Sequence, residues 1–104
     1  MPVLPVGVLR DAEIAEAVHE VERVMAPDVV RIRYELDTDW SGDWAVYFRV
    51  VMTDEAADRR LRDTAKKVAS LLDERLNFPE LGLSRYHNVR SESEQTVLRE
   101  AAWA

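Results

Sequence analysis

Hydrophobic and polar residues alternate with a period of two along two neighbouring runs of the chain, residues 29–36 and residues 44–52. Both runs are rich in β-branched and aromatic residues, a pattern that predicts the two strands of a half-buried β-hairpin. One apolar face combines Val30, Ile32, Tyr34 and Leu36 with Trp44, Val46, Phe48, Val50 and Met52. We expect helices to cover this face, and residues 37–43, which are rich in Asp, Ser and Gly, to form the connecting loop.

Helical periodicity precedes and follows this hairpin. Apolar residues recur at spacings of three and four along residues 11–25, which predicts a helix with Asp11 as its cap and Pro27 beyond its end. Thr53 is expected to cap a long helix over residues 54–75, and residues 83–90 form a weaker candidate for an edge strand. A capping box of Ser91 and Glu94 predicts a short final helix that runs to Trp103.

The predicted order is therefore α-β-β-α-β-α. The connection from the second strand through the long helix makes the third strand parallel to the second, and we place it beside the first. The fold class is α+β, a two-layer sandwich in which a mostly antiparallel sheet of three or four strands has its two main helices on one face. Residues 1–10 are interpreted as an N-terminal arm or an edge strand.

The length of 104 residues predicts one domain over residues 1–104. The absence of cysteine excludes disulfides and thiol catalysis, and the N-terminal stretch is too short and too rich in proline to span a bilayer, so a cytoplasmic protein is expected. A net charge of −6 argues against general coating of DNA.

The polar face of the hairpin nevertheless gathers positive charge. If Leu36 pairs with Trp44, Arg31 lies opposite Arg49, and their repulsion favours an anion or a carboxylate between them. Arginine and tyrosine are enriched at binding hot spots. The predicted partner-binding residues are Arg31, Arg33, Tyr47 and Arg49, with Trp40 at the rim. A merely solvated face and a surface that binds RNA or nucleotide phosphate are the alternatives.

Residues 85–93 lead from the predicted third strand into a helix N-terminus, where free N–H groups favour anions. Arg85, His87, Arg90 and Ser91 are the candidate anion-binding residues. The alternative is a structural role, because serine and glutamate at these positions also form a helix cap.

Metal, cofactor and catalytic sites have little support. Asp37, Asp39, Ser41, Gly42 and Asp43 imitate the first half of a calcium loop, but Phe48 stands where the closing glutamate is needed. Whether the loop over residues 37–43 binds a cation stays open at this point. Neither His19 nor His87 has a sequence neighbour that completes a nucleophile–base pair, so we predict no cofactor and favour a protein that is not an enzyme.

The segments Asp39-Trp40-Ser41-Gly42-Asp43, Tyr47-Phe48-Arg49 and Arg90-Ser91-Glu92-Ser93-Glu94-Gln95 resemble a group of short, uncharacterised bacterial proteins. The resemblance implies a two-gene arrangement of the toxin–antitoxin kind and carries over no catalytic residue. We therefore expect a non-catalytic module that binds a protein partner, or a second copy of itself as a homodimer, through the arginine-bearing face. The competing hypothesis is an RNA- or phosphate-binding domain that uses Arg31, Arg33, Arg49 and the 85–93 segment.

Overall fold

The structure, a computed structural model, describes residues 4–104. Six helices and three strands follow one another along these residues, and a 3₁₀ turn ends the chain. Their bounds are α1 Val6–Leu9, α2 Asp11–Val24, β1 Val29–Thr38, β2 Trp44–Met52, α3 Asp54–Arg59, α4 Leu61–Arg75, α5 Phe78–Leu81, β3 Ser84–Ser91, α6 Glu92–Leu98 and the 3₁₀ turn Ala101–Trp103. Within residues 4–104, no helix combines the length and the apolar character needed to cross a membrane.

The three strands form one mixed sheet in the order β1-β2-β3. β2 runs antiparallel to β1 and parallel to β3, so the predicted direction of the third strand is confirmed. Its predicted place beside the first strand is wrong, and so is the mostly antiparallel character of the sheet. At the outer edge of β1, Glu22 Oε2 of α2 accepts the Ile32 backbone N–H at 2.8 Å, and β3 pairs with β2.

The hairpin register differs from the predicted one by two residues. Leu36 pairs with Val46, and Thr38 pairs with Trp44, because β1 extends two residues further than expected. A five-residue connection remains, closed by the Asp39 N–H to the Asp43 carbonyl at 2.8 Å. A shift of two residues keeps every side chain on its predicted face. One exception is Val30, which lies at an irregularity of β1 and is exposed, whereas Val29 is buried.

The first face of the sheet carries the main hydrophobic core, as the alternation predicts. Helices α2 and α4 pack on this side, and the predicted alignment of α2 with the core is confirmed. Most of the buried side chains of this core come from α2, the two hairpin strands, α4 and the α5 region. They include Ile14, Val18, Val21, Ile32, Val46, Phe48, Val50, Met52, Val68, Leu72, Phe78, Leu81 and Leu83.

The predicted long helix is divided at Arg60 into α3 and α4. Thr53 caps α3 as expected, with its Oγ accepting the Ala56 N–H at 3.1 Å. Ala56 and Val68 are both buried, although twelve residues separate them and a continuous helix would place them roughly 120° apart around its axis. The break aligns both with the core and leaves Leu61, the first residue of α4, 48% exposed.

The N-terminal segment is helical where it is described. Residues 6–9 form α1, so the edge-strand interpretation of residues 1–10 is wrong for this part, while residues 1–3 lie outside the described residues. Gly7 is buried against α5, and a Cβ built there would lie 2.4 Å from Leu83 Cδ1 and 2.9 Å from the Leu81 carbonyl oxygen. Glycine thus allows α1 to approach this region closely.

The opposite face of the sheet, which we call the second face, is partly covered by the C-terminal residues. The predicted capping box of Ser91 and Glu94 begins α6, and the chain then turns at Arg99, whose φ is 51°. The following residues 100–104, which we call the C-terminal strap, contain the 3₁₀ turn that contacts β1 and β2. The two main helices thus lie on one face as predicted, but the expectation that the opposite face is left uncovered is wrong, because Trp103 reaches it and is only 6% exposed there.

Replacement of Trp103 by alanine is expected to lower the free energy of unfolding by about 2 kcal/mol. This is less than the ~3–5 kcal/mol of an aromatic residue in a domain core, since a short strap can detach and become hydrated. Chemical denaturation of the full chain measures the difference. Val97→Ala, at a side chain that is 80% exposed, serves as the control and should change stability by less than about 0.5 kcal/mol. Equal stabilities of the Trp103→Ala variant and the wild type would contradict this account of the strap.

Candidate functional site

The second face combines side chains from all three strands. The register places Arg31, Arg33 and Glu35 of β1, Ala45, Tyr47, Arg49 and Val51 of β2, and Tyr86, Asn88 and Arg90 of β3 on this face. Four of the five predicted partner-binding residues therefore share one surface. The strap divides this surface into a covered half and an open half.

Arg31 and Arg33 bind the strap. The Nε of Arg31 donates to the Trp103 carbonyl, and the Nε of Arg33 donates to the Ala104 carbonyl, each at 2.8 Å. Arg33 also lies 3.7 Å from a Glu22 carboxylate oxygen. These two arginines are thus engaged within the chain, and the predicted uncovered cationic face is not present in this half.

Arg90 completes the clamp on the strap from β3. Its guanidinium carbon lies 4.2 Å from the centre of the Trp103 ring, a cation–π distance, and it donates to Glu100 Oε1 at 2.7 Å. Gln95 of α6 donates to the Glu100 carbonyl at 2.9 Å. Three arginines from two edge strands therefore hold one tryptophan and the backbone around it.

Arg49 lies in the sheet opposite Arg33, and not opposite Arg31 as the predicted register required. The expected repulsion between facing arginines is avoided because the two side chains have different partners. Arg49 forms an ion pair with Glu35 at 2.9 Å, while Arg33 contacts the strap. A carboxylate of the same chain thus takes the place that the sequence interpretation gave to a ligand.

The open half is aromatic. Tyr47 and Tyr86 stack with ring centres 5.2 Å apart and planes 18° apart. The Tyr86 hydroxyl donates to Asp39 Oδ2 at 2.8 Å, which links β3 to the hairpin loop. Trp40 follows in that loop and is 93% exposed. We call Trp40, Tyr47 and Tyr86 the aromatic end of the second face.

Asp39 holds the loop that carries Trp40. Its Oδ1 accepts the backbone N–H of Ser41 at 2.9 Å and that of Asp43 at 3.1 Å, as well as the Ser41 hydroxyl at 2.6 Å. These bonds, with that to the Ser41 side chain largest, lower the pKa of Asp39 below its usual value. Gly42 adopts a φ of 86°, a conformation that glycine tolerates best.

The same contacts involve residues of the calcium-like pattern. The carboxylate oxygens of Asp39 accept hydrogen bonds from the turn and from the Tyr86 hydroxyl. Phe48, at the position of the closing glutamate, is fully buried in the core. Within residues 4–104, no group of three or more acidic or histidine side chains is arranged to hold a metal ion.

The four candidate anion-binding residues do not converge. Arg85 and His87 lie on the first face and Arg90 on the second, because alternate residues of β3 point to opposite sides. Arg85 pairs with Asp73 at 2.9 Å, and the Ser91 hydroxyl accepts the Glu94 N–H at 3.1 Å as a helix cap. The structural alternative for Ser91 is confirmed.

His87 packs within the first face without a polar partner among the described residues. Its ring stacks on Phe48 with centres 5.2 Å apart, and its Nε2 is buried and unpaired. Burial lowers the pKa of His87, the nearby positive charge of Arg85 lowers it further, and Asp73 acts in the opposite direction. A groove beside it is lined by Asp73, Phe78 and Arg85 but does not include His87.

Two contacts on the second face were not predicted from the sequence. Tyr86 belongs to a weakly patterned strand whose neighbour was assigned wrongly, so its stacking on Tyr47 was not foreseen. Glu35 lies on the predicted polar face of the hairpin, but its ion pair with Arg49 was not foreseen because the predicted register was wrong by two residues. The sequence did contain a signal that the second face is partly covered. Val51 makes the end of β2 a continuous apolar run, which indicates that this strand is buried on both faces.

The lowered pKa of His87 predicts a stability that falls in mild acid. The unfolded chain binds a proton on this histidine near pH 6.5, whereas the folded chain resists it, so protonation favours unfolding as the pH drops below about 6.5. Urea denaturation at about pH 7.5 and about pH 5 should show a smaller loss of stability in His87→Gln than in the wild type. His19→Gln is the matched control and should retain the wild-type loss. Identical losses in all three proteins would contradict the assignment to His87.

Within the aromatic end, Trp40 is thus almost fully exposed and Tyr47 and Tyr86 are half-buried, while Arg31 and Arg33 are engaged by the strap. No protein-family model matches the chain, and neither a curated protein nor a solved structure shows a significant match to it.

Proposed function

We propose that this protein is a non-catalytic interaction module that binds a protein partner through the aromatic end of its second face. The observation that carries the proposal is Trp40, which is 93% exposed on a loop whose backbone is held in place by Asp39. Tryptophan and tyrosine are the residue types that contribute most often to binding hot spots. The predicted site is thereby narrowed from the arginines to Trp40, Tyr47 and Tyr86, with Arg49 at its border.

The fixed conformation of the loop supports this role. Association normally costs conformational entropy when loops and side chains become ordered at an interface. The hydrogen bonds of Asp39 to Ser41, Asp43 and Tyr86 already order the loop and connect it to β3. A partner that receives the indole of Trp40 would therefore bind a preorganised surface.

Charge favours a protein over a nucleic acid as the partner. The loop carries Asp39 and Asp43, Asp37 precedes it, and the border arginine Arg49 is already paired with Glu35. Nucleic-acid binding depends on protein cations that neutralise the phosphates of the nucleic acid. The carboxylates of this loop would instead repel those phosphates. The RNA- or phosphate-binding alternative is supported only by the stacked tyrosines, whose faces can accept bases.

The resemblance to proteins of toxin–antitoxin-type pairs suggests a first partner to test. In such a pair the partner is the larger protein encoded beside the small one. A second copy of this chain is the other protein partner that we consider. Both bind through the same aromatic end, so one set of variants tests them together.

Trp40→Ala is expected to weaken partner binding about 30-fold or more, the effect of losing a hot-spot tryptophan worth at least ~2 kcal/mol. Its thermal stability should remain that of the wild type, because the indole is almost fully solvated. Affinity for the co-encoded protein is measured by calorimetry, and self-association by sedimentation. Val97→Ala, which alters an exposed apolar side chain on α6, is the control and should bind as the wild type does.

Unchanged binding by Trp40→Ala would contradict the proposed site. Binding to a single-stranded RNA oligonucleotide that weakens steeply with salt, with no binding to protein, would instead favour the nucleic-acid alternative. An interaction lost in Val97→Ala and kept in Trp40→Ala would place the binding surface on α6.

A further inference from the structure

The C-terminal strap is attached to the second face by a small set of contacts. Trp103 is its buried side chain, whereas the three alanines of the strap are exposed. The other contacts use the Glu100 carboxylate, which pairs with Arg90, and the backbone carbonyls of Trp103 and Ala104, which accept from arginines of β1. The strap is therefore recognised through one ring, one carboxylate and its backbone.

The surface beneath the strap has an apolar floor between two cationic walls. Val51 of β2 lies between Arg31 of β1 and Arg90 of β3 in the sheet, and it is inaccessible to solvent. We call these three residues the strap groove. Arg31 donates to the Trp103 carbonyl, and Arg90 contacts both the indole ring and the Glu100 carboxylate. The groove thus suits an aromatic side chain that is accompanied by an acidic one.

The residue before the strap adopts an uncommon backbone conformation. Arg99 has a φ of 51°, in the left-handed region that residues other than glycine rarely occupy. Such a conformation costs free energy and persists only where surrounding contacts maintain it. Release of the strap removes this constraint, so part of the free energy gained from the strap contacts is offset at Arg99. This offset makes displacement of the strap easier.

We propose that the strap is a displaceable internal ligand, and that the strap groove binds a segment of a protein partner with the same chemistry. The segment carries an acidic residue followed three positions later by an aromatic one, as Glu100 and Trp103 do in the strap. Arg31 and Arg90 recognise it, and their charge disfavours a basic segment. The strap groove is a second binding surface, so this proposal does not rest on the binding by Trp40.

A peptide of residues 99–104 with blocked ends tests the groove. A tethered segment acts at an effective concentration in the millimolar range, so a strap that is mostly bound corresponds to an affinity below about 1 mM for the free peptide. The receptor is full-length Trp103→Ala, whose own strap lacks the ring. Shifts of the Val51 and Arg90 amide resonances report binding. We expect the variant to bind the peptide about 10-fold or more tightly than the wild type, whose groove is already occupied.

Further variants assign the binding to the strap groove. In the Trp103→Ala chain, Arg90→Gln should weaken peptide binding about 10-fold, because it removes the cation–π contact and the ion pair. Arg62→Gln, at an exposed arginine of α4, is the matched control and should leave the affinity unchanged. A peptide with alanine in place of tryptophan should not bind. Trp40→Ala should leave peptide binding unchanged, which separates the groove from the aromatic end.

A Trp103→Ala chain that is folded by circular dichroism and binds no peptide at about 5 mM overturns the proposal. Equal affinities of this variant and the wild type overturn it as well. The wild type gives a measurement that does not depend on the folding of a variant: excess peptide should move the Trp103 indole N–H resonance toward that of an exposed indole, and an unchanged resonance contradicts displacement.

Two further outcomes distinguish this proposal from the others. A wild-type dimer that Trp103→Ala converts into monomers would overturn it and assign the groove to the strap of a second copy. Peptide binding in the strap groove, together with partner binding that Trp40→Ala leaves unchanged, would contradict the function proposed above while supporting this inference.

Discussion

The burial of β2 on both of its faces is the constraint on which the arrangement of the other elements depends. As the central strand it pairs with β1 on one side and β3 on the other, so its backbone is satisfied along its length. Phe48 and its neighbours of the same parity face the helical core, and Ala45 and Val51 are equally inaccessible on the second face. Something other than solvent must therefore cover each side of the sheet.

The C-terminal strap provides part of that second cover. Val51 lies between Arg31 and Arg90 in the sheet, and these arginines contact the backbone and the ring of Trp103. The two guanidinium groups thus have different roles: Arg31 donates to the Trp103 carbonyl of the strap, and Arg90 covers the aromatic ring. A cluster that resembles a docking site in sequence is, in this half of the face, an internal clamp.

The side chains at the second face fall into two groups: those that hold the C-terminal strap and those that are exposed to solvent. Arg31 and Arg33 are bound by the strap, although 48% of the Arg33 side chain stays exposed, and Trp40 faces solvent on its ordered loop. Such differences in exposure, more than the composition of the chain, indicate where contacts with other molecules can form.

Local patterns predicted the elements of this protein well. The hairpin, α2, the Thr53 cap and the Ser91–Glu94 capping box follow from interactions between residues that are close in sequence, so periodicity and capping chemistry were sufficient to find them. The faces of the hairpin were also predictable despite the wrong register, because a shift of two residues preserves parity.

Decisions between distant segments required the tertiary structure. β3 pairs with β2, whereas Glu22 of α2 contacts β1 at Ile32, and the partners of Arg31 and Arg33 lie in a strap about seventy residues away in sequence. The break at Arg60 likewise reflects the need to align Ala56 and Val68 with one core. Sequence alone determined which residues lie on alternating faces of the strands, which cap helices and which form turns. The tertiary structure decided which of them are in contact, because segments that are distant in sequence compete for the same surface.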